Sequence, residues 1–232
     1  MVTQRLRITY RKVGALRYVA HLDLMRTWER ALRRARLPLA YSKGFSPHPR
    51  LALAAPLPVG MVGEGELMDV WLDEPAQPSA VQQRLQAALP PGLEIAEVRD
   101  IGERLPSLQA STRFASYRVR LAAPDIAVDG LRRRVDKLLA LAELRVEEER
   151  GDKTRSYDLR ATIRTIEVET AGDEVVLRMD LDLTPERTGR PASVLAVLGV
   201  TAEPLEVARE RIVIDEPQLA IQAWRERGRF EE

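Results

Sequence analysis

Residues 5–12 read RLRITYRK, with Leu6, Ile8 and Tyr10 on one face and Arg5, Arg7, Thr9 and Arg11 on the other. That period of two predicts a half-buried strand whose outer face is basic. The period then lengthens. Between His21 and Arg36, Met25, Trp28, Leu32 and Ala35 recur at helical spacing, joined by Leu24 and Ala31. Such a stripe predicts an amphipathic helix, with Asp23 in the first turn complementing the helix dipole and Pro38 ending it. Arg26, Arg30, Arg33 and Arg34 fall on the polar side.

Leu37–Ser42 reads as a short strand, and Ser42–Pro49 (SKGFSPHP) as an irregular loop stiffened by two prolines and released by Gly44. Strands are predicted at Arg50–Ala54, Gly65–Leu72 and Leu93–Val98, with a helix at Ser79–Leu89. The rhythm then repeats. Phe114–Leu121 is a strand, Ile126–Leu141 a helix, and Arg145–Glu149 a strand. Tyr157–Glu169 and Glu174–Leu183 form a hairpin about Ala171-Gly172-Asp173. Pro191–Leu198 is a short helix opened by proline and closed by Gly199, and Val207–Ile214 a final strand. The order predicts an α+β protein of two ferredoxin-like (split βαβ) halves, with an extra hairpin in the first. The expected domains are 1–100 and 113–216, joined by a linker over 101–112 and followed by a C-terminal tail over 217–232, with Leu219–Arg229 within it.

Charge changes this picture. The formal net charge of the 232 residues is +1, yet residues 1–50 hold twelve Lys/Arg against two acids, a net of +10. Residues 51–110 carry −6. Segregated sign points to a local polyanion site, because composition bias alone spreads charge evenly. Mixed signs would be expected on a merely solvated helix face, and arginine outnumbers Glu29 on this one. The expected RNA-binding set is therefore Arg26, Arg30, Arg33, Arg34, Lys43 and Arg50, with Tyr41, Phe45 and His48 from the loop. Tyr41 and Phe45 offer faces for an unstacked base, though Phe45 suits a core plug equally. A secondary site is expected at Lys153, Arg155, Asp158 and Arg160, where Asp158 either orients the arginines or makes a surface ion pair.

The absence of cysteine excludes disulfides, thiol catalysis and any iron–sulfur cluster held by this chain's own thiolates. The only two histidines, His21 and His48, are too few for most histidine metal centres. They can instead be written, with Tyr41, as the acid–base groups of a metal-free endoribonuclease, or as structural hydrogen-bonders. No P-loop or dinucleotide fingerprint is present, and Gly60–Gly65 precedes a strand instead of a helix. The acidic positions Glu64, Glu66, Asp69, Asp73 and Glu74 match no metal loop and read as a solvated strand edge. The sequence contains neither a long apolar run nor an apolar signal-peptide core, so a cytoplasmic protein is expected.

Several runs resemble one family: Tyr18–Leu24 (YVAHLDL), Arg30–Ala35, Leu37–Pro49 (LPLAYSKGFSPHP), Pro56–Gly60, Lys153–Arg155 with Asp158–Arg160, and Arg190-Pro191 with Leu195. Together they are similar to the radical-SAM-linked protein family, a bacterial domain of unknown function. Position 20 is commonly serine there, and Ala20 lacks that possible helix cap. The resemblance implies a partner enzyme, of the radical SAM and cobalamin-binding type, that holds the iron–sulfur cluster, S-adenosylmethionine and cobalamin. This chain would carry no cofactor itself. The expected function is an RNA-binding or substrate-presenting accessory protein in tRNA or rRNA modification. The alternatives are the endoribonuclease and a protein-interaction module that docks an acidic partner.

Overall fold

The computed structural model describes residues 4–102, 105–123, 126–150 and 153–215. The chain forms two compact units, one running to Thr112 and resuming at Ile214, the other spanning Arg113–Val213. Both are α+β, with five α-helices among the described residues.

The first unit contains β1 (Gln4–Lys12), α1 (His21–Arg34), β2 (Leu51–Leu53), β3 (Val62–Leu72), α2 (Pro78–Gln86), β4 (Leu93–Asp100) and α3 (Leu108–Ser111). Its strands lie in the order β4-β1-β3-β2, and β1–β4, β1–β3 and β2–β3 are all antiparallel. The alternation of β1 is obeyed on the inner face: Leu6, Ile8 and Tyr10 are buried opposite Val70, Met68 and Glu66 of β3. Leu24, Trp28, Ala31 and Leu32 of α1 close over them, with Val81 and Leu85 of α2 in the same core.

The outer face of β1 differs from expectation. Arg5 and Arg7 are only 2% exposed, and Asp69, directly opposite Arg7, is fully buried. Asp69 Oδ2 accepts from Arg5 Nε at 3.0 Å and Nη2 at 2.6 Å, while Oδ1 accepts from Arg7 Nε at 2.8 Å. Glu66 is buried as well. The block expected as a solvated acidic edge is therefore partly an interior counter-charge, and +10 overstates the positive charge that reaches the surface.

Other boundaries also shift. Residues 105–111, expected as linker, pack into the first unit: Arg5 donates to the carbonyls of Leu105 and Pro106, Gln109 donates to Leu53 O, and Leu108 is buried. Leu37–Ser42 makes only isolated bridges, Leu39 with Leu72 and Tyr41 with Pro49. Pro38, Pro47 and Pro49 deprive this stretch of the donors a ladder needs, so the extra hairpin of the first half is not a regular one.

A regular extra hairpin stands in the second unit. There β5 (Thr112–Ala122), α4 (Val128–Ala140), β8 (Ile163–Ala171), β9 (Glu174–Asp182), α5 (Pro191–Val197) and β10 (Glu206–Ile214) follow in sequence. Their sheet order is β10-β5-β9-β8. Between α4 and β8 are inserted β6 (Arg145–Arg150) and β7 (Lys153–Asp158), a separate two-stranded sheet. The strand expected over Tyr157–Glu169 is thus split between β7 and β8 by a 3-10 turn at Arg160–Thr162. Gly172, at φ 60°, turns β8 into β9 at the expected place. The tail expected over 217–232 lies outside the described residues.

Candidate nucleic-acid interface

The interface is built on α1. Lys12, buried at the end of β1, donates from Nζ to Val19 O at 2.9 Å and holds the turn that leads into the helix. Ala20 occupies the N-cap position with no side-chain bond. The helix ends where Arg36 takes a left-handed φ of 52°, a conformation seldom adopted without glycine. One stripe is buried in the core, and Arg26, Arg30, Arg33 and Arg34 stand exposed on the other side.

Their partners decide how much charge remains. Arg26 pairs with Asp23 at 3.0 Å in an exposed contact that salt screens readily. Arg33 lies 3.7 Å from Glu29 Oε2. Arg34 donates to a carbonyl, Ala88 O, at 3.4 Å and meets no carboxylate among the described residues. Arg30 has no hydrogen bond or ion pair among the described residues. Five cations, counting Lys43, face Asp23 and Glu29 on this surface, whereas Arg50 shares the opposite sheet face with Arg5 and Trp71 and is not brought to the arginine face of α1.

The loop over 41–50 is docked beside the helix. Ser42 N donates to His48 O at 2.9 Å, and His48 N to Ser42 Oγ at 3.1 Å, clipping its two sides together. His48 Nδ1 lies 3.8 Å from Glu29 Oε2, so the loop and Arg33 share that carboxylate. Tyr41 and Lys43 are exposed. Phe45 is exposed at 110%, which rules out a core plug. Arg50 stacks over Trp71, 5.0 Å from the ring centroid, and Arg5 stacks on the same ring at 4.9 Å. The sequence reading missed Trp71 as the platform that orients Arg50. It also missed exposed Leu22 and Val59, although apolar residues outside a helical stripe were a legible signal.

The two histidines are not brought together. Glu29, which His48 approaches, is eight residues along α1 from His21, roughly 12 Å at 1.5 Å per residue. His21 is half-buried, and its Nδ1 has no hydrogen-bond partner among the described residues. Tyr41 bridges Pro49 through its backbone. The geometry therefore gives the endoribonuclease reading no paired acid and base.

At the secondary site, Asp158 and Arg160 serve the local backbone. Asp158 Oδ1 accepts from Leu144 N at 2.9 Å. Arg160 donates to Leu139 O and Ile163 O, satisfying a carbonyl at the end of α4. Lys153 and Arg155 belong to β7, paired with Arg150 and Glu148 of β6. Tyr157 Oη donates to Ser193 Oγ at 3.1 Å, and Arg190 pairs with Glu148, tying the hairpin to the start of α5.

The Asp158 carboxyl is held below the usual carboxylate range, chiefly by the Leu144 N–H and further by those of Ala161 and Arg160. A depressed folded-state pKa contributes stability above the ordinary value, and that contribution fades as pH falls through the folded value. Asp158→Asn is therefore expected to melt below wild type near neutrality, with the gap narrowing from about pH 4 downward. Melting temperatures followed across that range check this, and a gap independent of pH would contradict it.

Among the described residues no group of three or more His, Cys, Asp or Glu could hold a metal ion, and no helix is long and apolar enough to cross a membrane. The fold and this surface define an α+β protein with a basic helix face. The chain belongs to the family described as "Uncharacterized protein conserved in bacteria (DUF2344)", whose description matches residues 5–191. No curated protein matches it. Among solved structures, a chain of a Cbf5-Nop10-Gar1 complex is similar in fold at 14% identity and a TM-score of 0.50. That match covers 96% of this chain but only 56% of the other. An unknown protein from Galdieria sulphuraria matches at 16% identity over 84% of this chain and 87% of that one, with a TM-score of 0.27.

Proposed function

We propose that this protein binds RNA, or presents it as substrate, as a cytoplasmic accessory subunit of a radical SAM enzyme acting on tRNA or rRNA. The observation that carries the RNA reading is the exposed arginine face of α1, continuous through the Glu29–His48 contact with a basic, aromatic loop. Guanidinium groups on a helix face meet phosphates without requiring a base sequence. The radical SAM partner, with its cluster, S-adenosylmethionine and cobalamin, rests on the family resemblance. A chain without cysteine is suited to leaving cluster binding to a partner. Each unit is read as a ferredoxin-like half, because β4-β1-β3-β2 and β10-β5-β9-β8 repeat one order: fourth strand, first, third, second.

The test is a salt titration of RNA affinity. Each lost phosphate contact lowers the log–log salt slope by about one unit. The double variant Arg30→Ala, Arg33→Ala is expected to weaken binding to a mixed tRNA pool across sequences and to reduce that slope by about two units. An unchanged slope and affinity sink the reading. Capture of an acidic protein that survives nuclease treatment, with no RNA crosslinks in cells, would replace it with the docking alternative.

A further inference from the structure

We infer that the loop over 42–48 is a stacking finger that takes an unpaired base, so the RNA recognised is single-stranded or looped at this point. The inference rests on the RNA-binding reading and names the substrate class of that same site.

The geometry at Phe45 carries it. A phenyl ring at full exposure is unfavourable in water, and this one is held out on a braced loop. Its two sides are clipped by the reciprocal Ser42–His48 hydrogen bonds and by the Tyr41–Pro49 bridge. Pro47 and Pro49 restrict the backbone on one side of the tip. Gly44, at φ 143°, supplies on the other side a turn that an L side chain rarely adopts. A Cβ at Gly44 would meet nothing within 4 Å, so it is the dihedral angle, and not space, that glycine satisfies there. This combination leaves the ring projecting and pre-ordered.

The neighbours suit a nucleotide. Lys43 has no ion-pair partner among the described residues, and Tyr41 presents a second, 44% exposed ring at the base of the loop. His48 joins the loop to the carboxylate that Arg33 also approaches, so a strand whose base lies on Phe45 runs its phosphates toward the arginine face. In an A-form duplex the base faces are occupied by stacking, whereas loops and single strands offer theirs to aromatic side chains. The finger therefore discriminates by strandedness, which the arginine face alone cannot do.

The experiment compares two RNAs of equal length on the full chain, a stem-loop carrying 2-aminopurine in its loop and a blunt duplex, both by fluorescence anisotropy at low salt. Phe45→Ala is expected to lose about tenfold in affinity for the stem-loop and to leave duplex affinity unchanged. Phe45→Trp should retain binding and show the 2-aminopurine quenching that stacking produces. Because Phe45 is wholly exposed, Phe45→Ala should melt with wild type, which keeps binding separate from folding.

If Phe45→Ala binds both RNAs as wild type does while Arg30→Ala, Arg33→Ala still weakens them, the finger is overturned and the RNA-binding reading stands. Equal losses on stem-loop and duplex also overturn it. If the wild-type chain binds neither RNA, the underlying reading fails and takes the finger with it.

Discussion

Asp69→Ala is expected to destabilise the first unit by about 3–5 kcal/mol, the cost of breaking a buried ion pair from one side. Wild-type Asp69 accepts from two guanidinium groups that are almost wholly buried. Removing it leaves both charges in the interior, where Arg5 keeps the carbonyls of Leu105 and Pro106 and the Trp71 ring but no carboxylate among those bonds. Much of the loss is the cost of keeping buried arginine without the Asp69 carboxylate, so Asp69→Ala in an Arg7→Met background should cost less than in wild type. Urea unfolding of the four proteins in that cycle measures the coupling. Strict additivity, or a midpoint for Asp69→Ala equal to wild type, would show that the trio contributes nothing as a unit.

Trp28→Ala is expected to cost a similar amount, about 3–5 kcal/mol for truncating a buried aromatic. Trp28 is 0% exposed and meets Tyr10 edge to face, with centroids 4.9 Å apart and an interplanar angle of 72°. It is the largest fully buried side chain on α1, so its loss loosens the helix that displays the arginines. RNA affinity should fall with the folded fraction, in contrast to Arg30→Ala, Arg33→Ala, which should melt near wild type and bind weakly. Trp28→Phe should be milder. The indole N–H has no partner among the described residues, so that change orphans no acceptor. A Trp28→Ala protein that unfolds at the wild-type midpoint would contradict this account.

The two sites explain what the sequence made legible. Helical spacing of Leu24, Trp28, Ala31 and Leu32 located the buried stripe of α1, and the exposed arginines follow by exclusion. Alternation in β1 identified Leu6, Ile8 and Tyr10 as core, but it could not tell that Arg5 and Arg7 are buried too. Period two separates two faces without saying whether the second meets water. What covers that face includes residues 105–111, whose Pro and Ser content reads as linker until Arg5 is seen to hold two of their carbonyls. The loop's irregularity was visible in its prolines, whereas His48 approaching Glu29, and not His21, depends on tertiary placement. Likewise Trp71 gave no sequence signal for the two arginines stacked on it.

The Arg5–Asp69–Arg7 trio also acts as a ruler for strand alignment. Sliding β1 by two residues along β3 would keep Leu6, Ile8 and Tyr10 facing the core, because a strand's faces repeat every second position. Apolar packing therefore discriminates poorly among such slips. The carboxylate does not tolerate them equally: opposite Arg7 it reaches both guanidinium groups, whereas opposite Thr9 it would strand Arg5 in the interior without it. The buried charge thus makes that slip costly as well as the native sheet stable, and rejects a register that greasy side chains alone would accept.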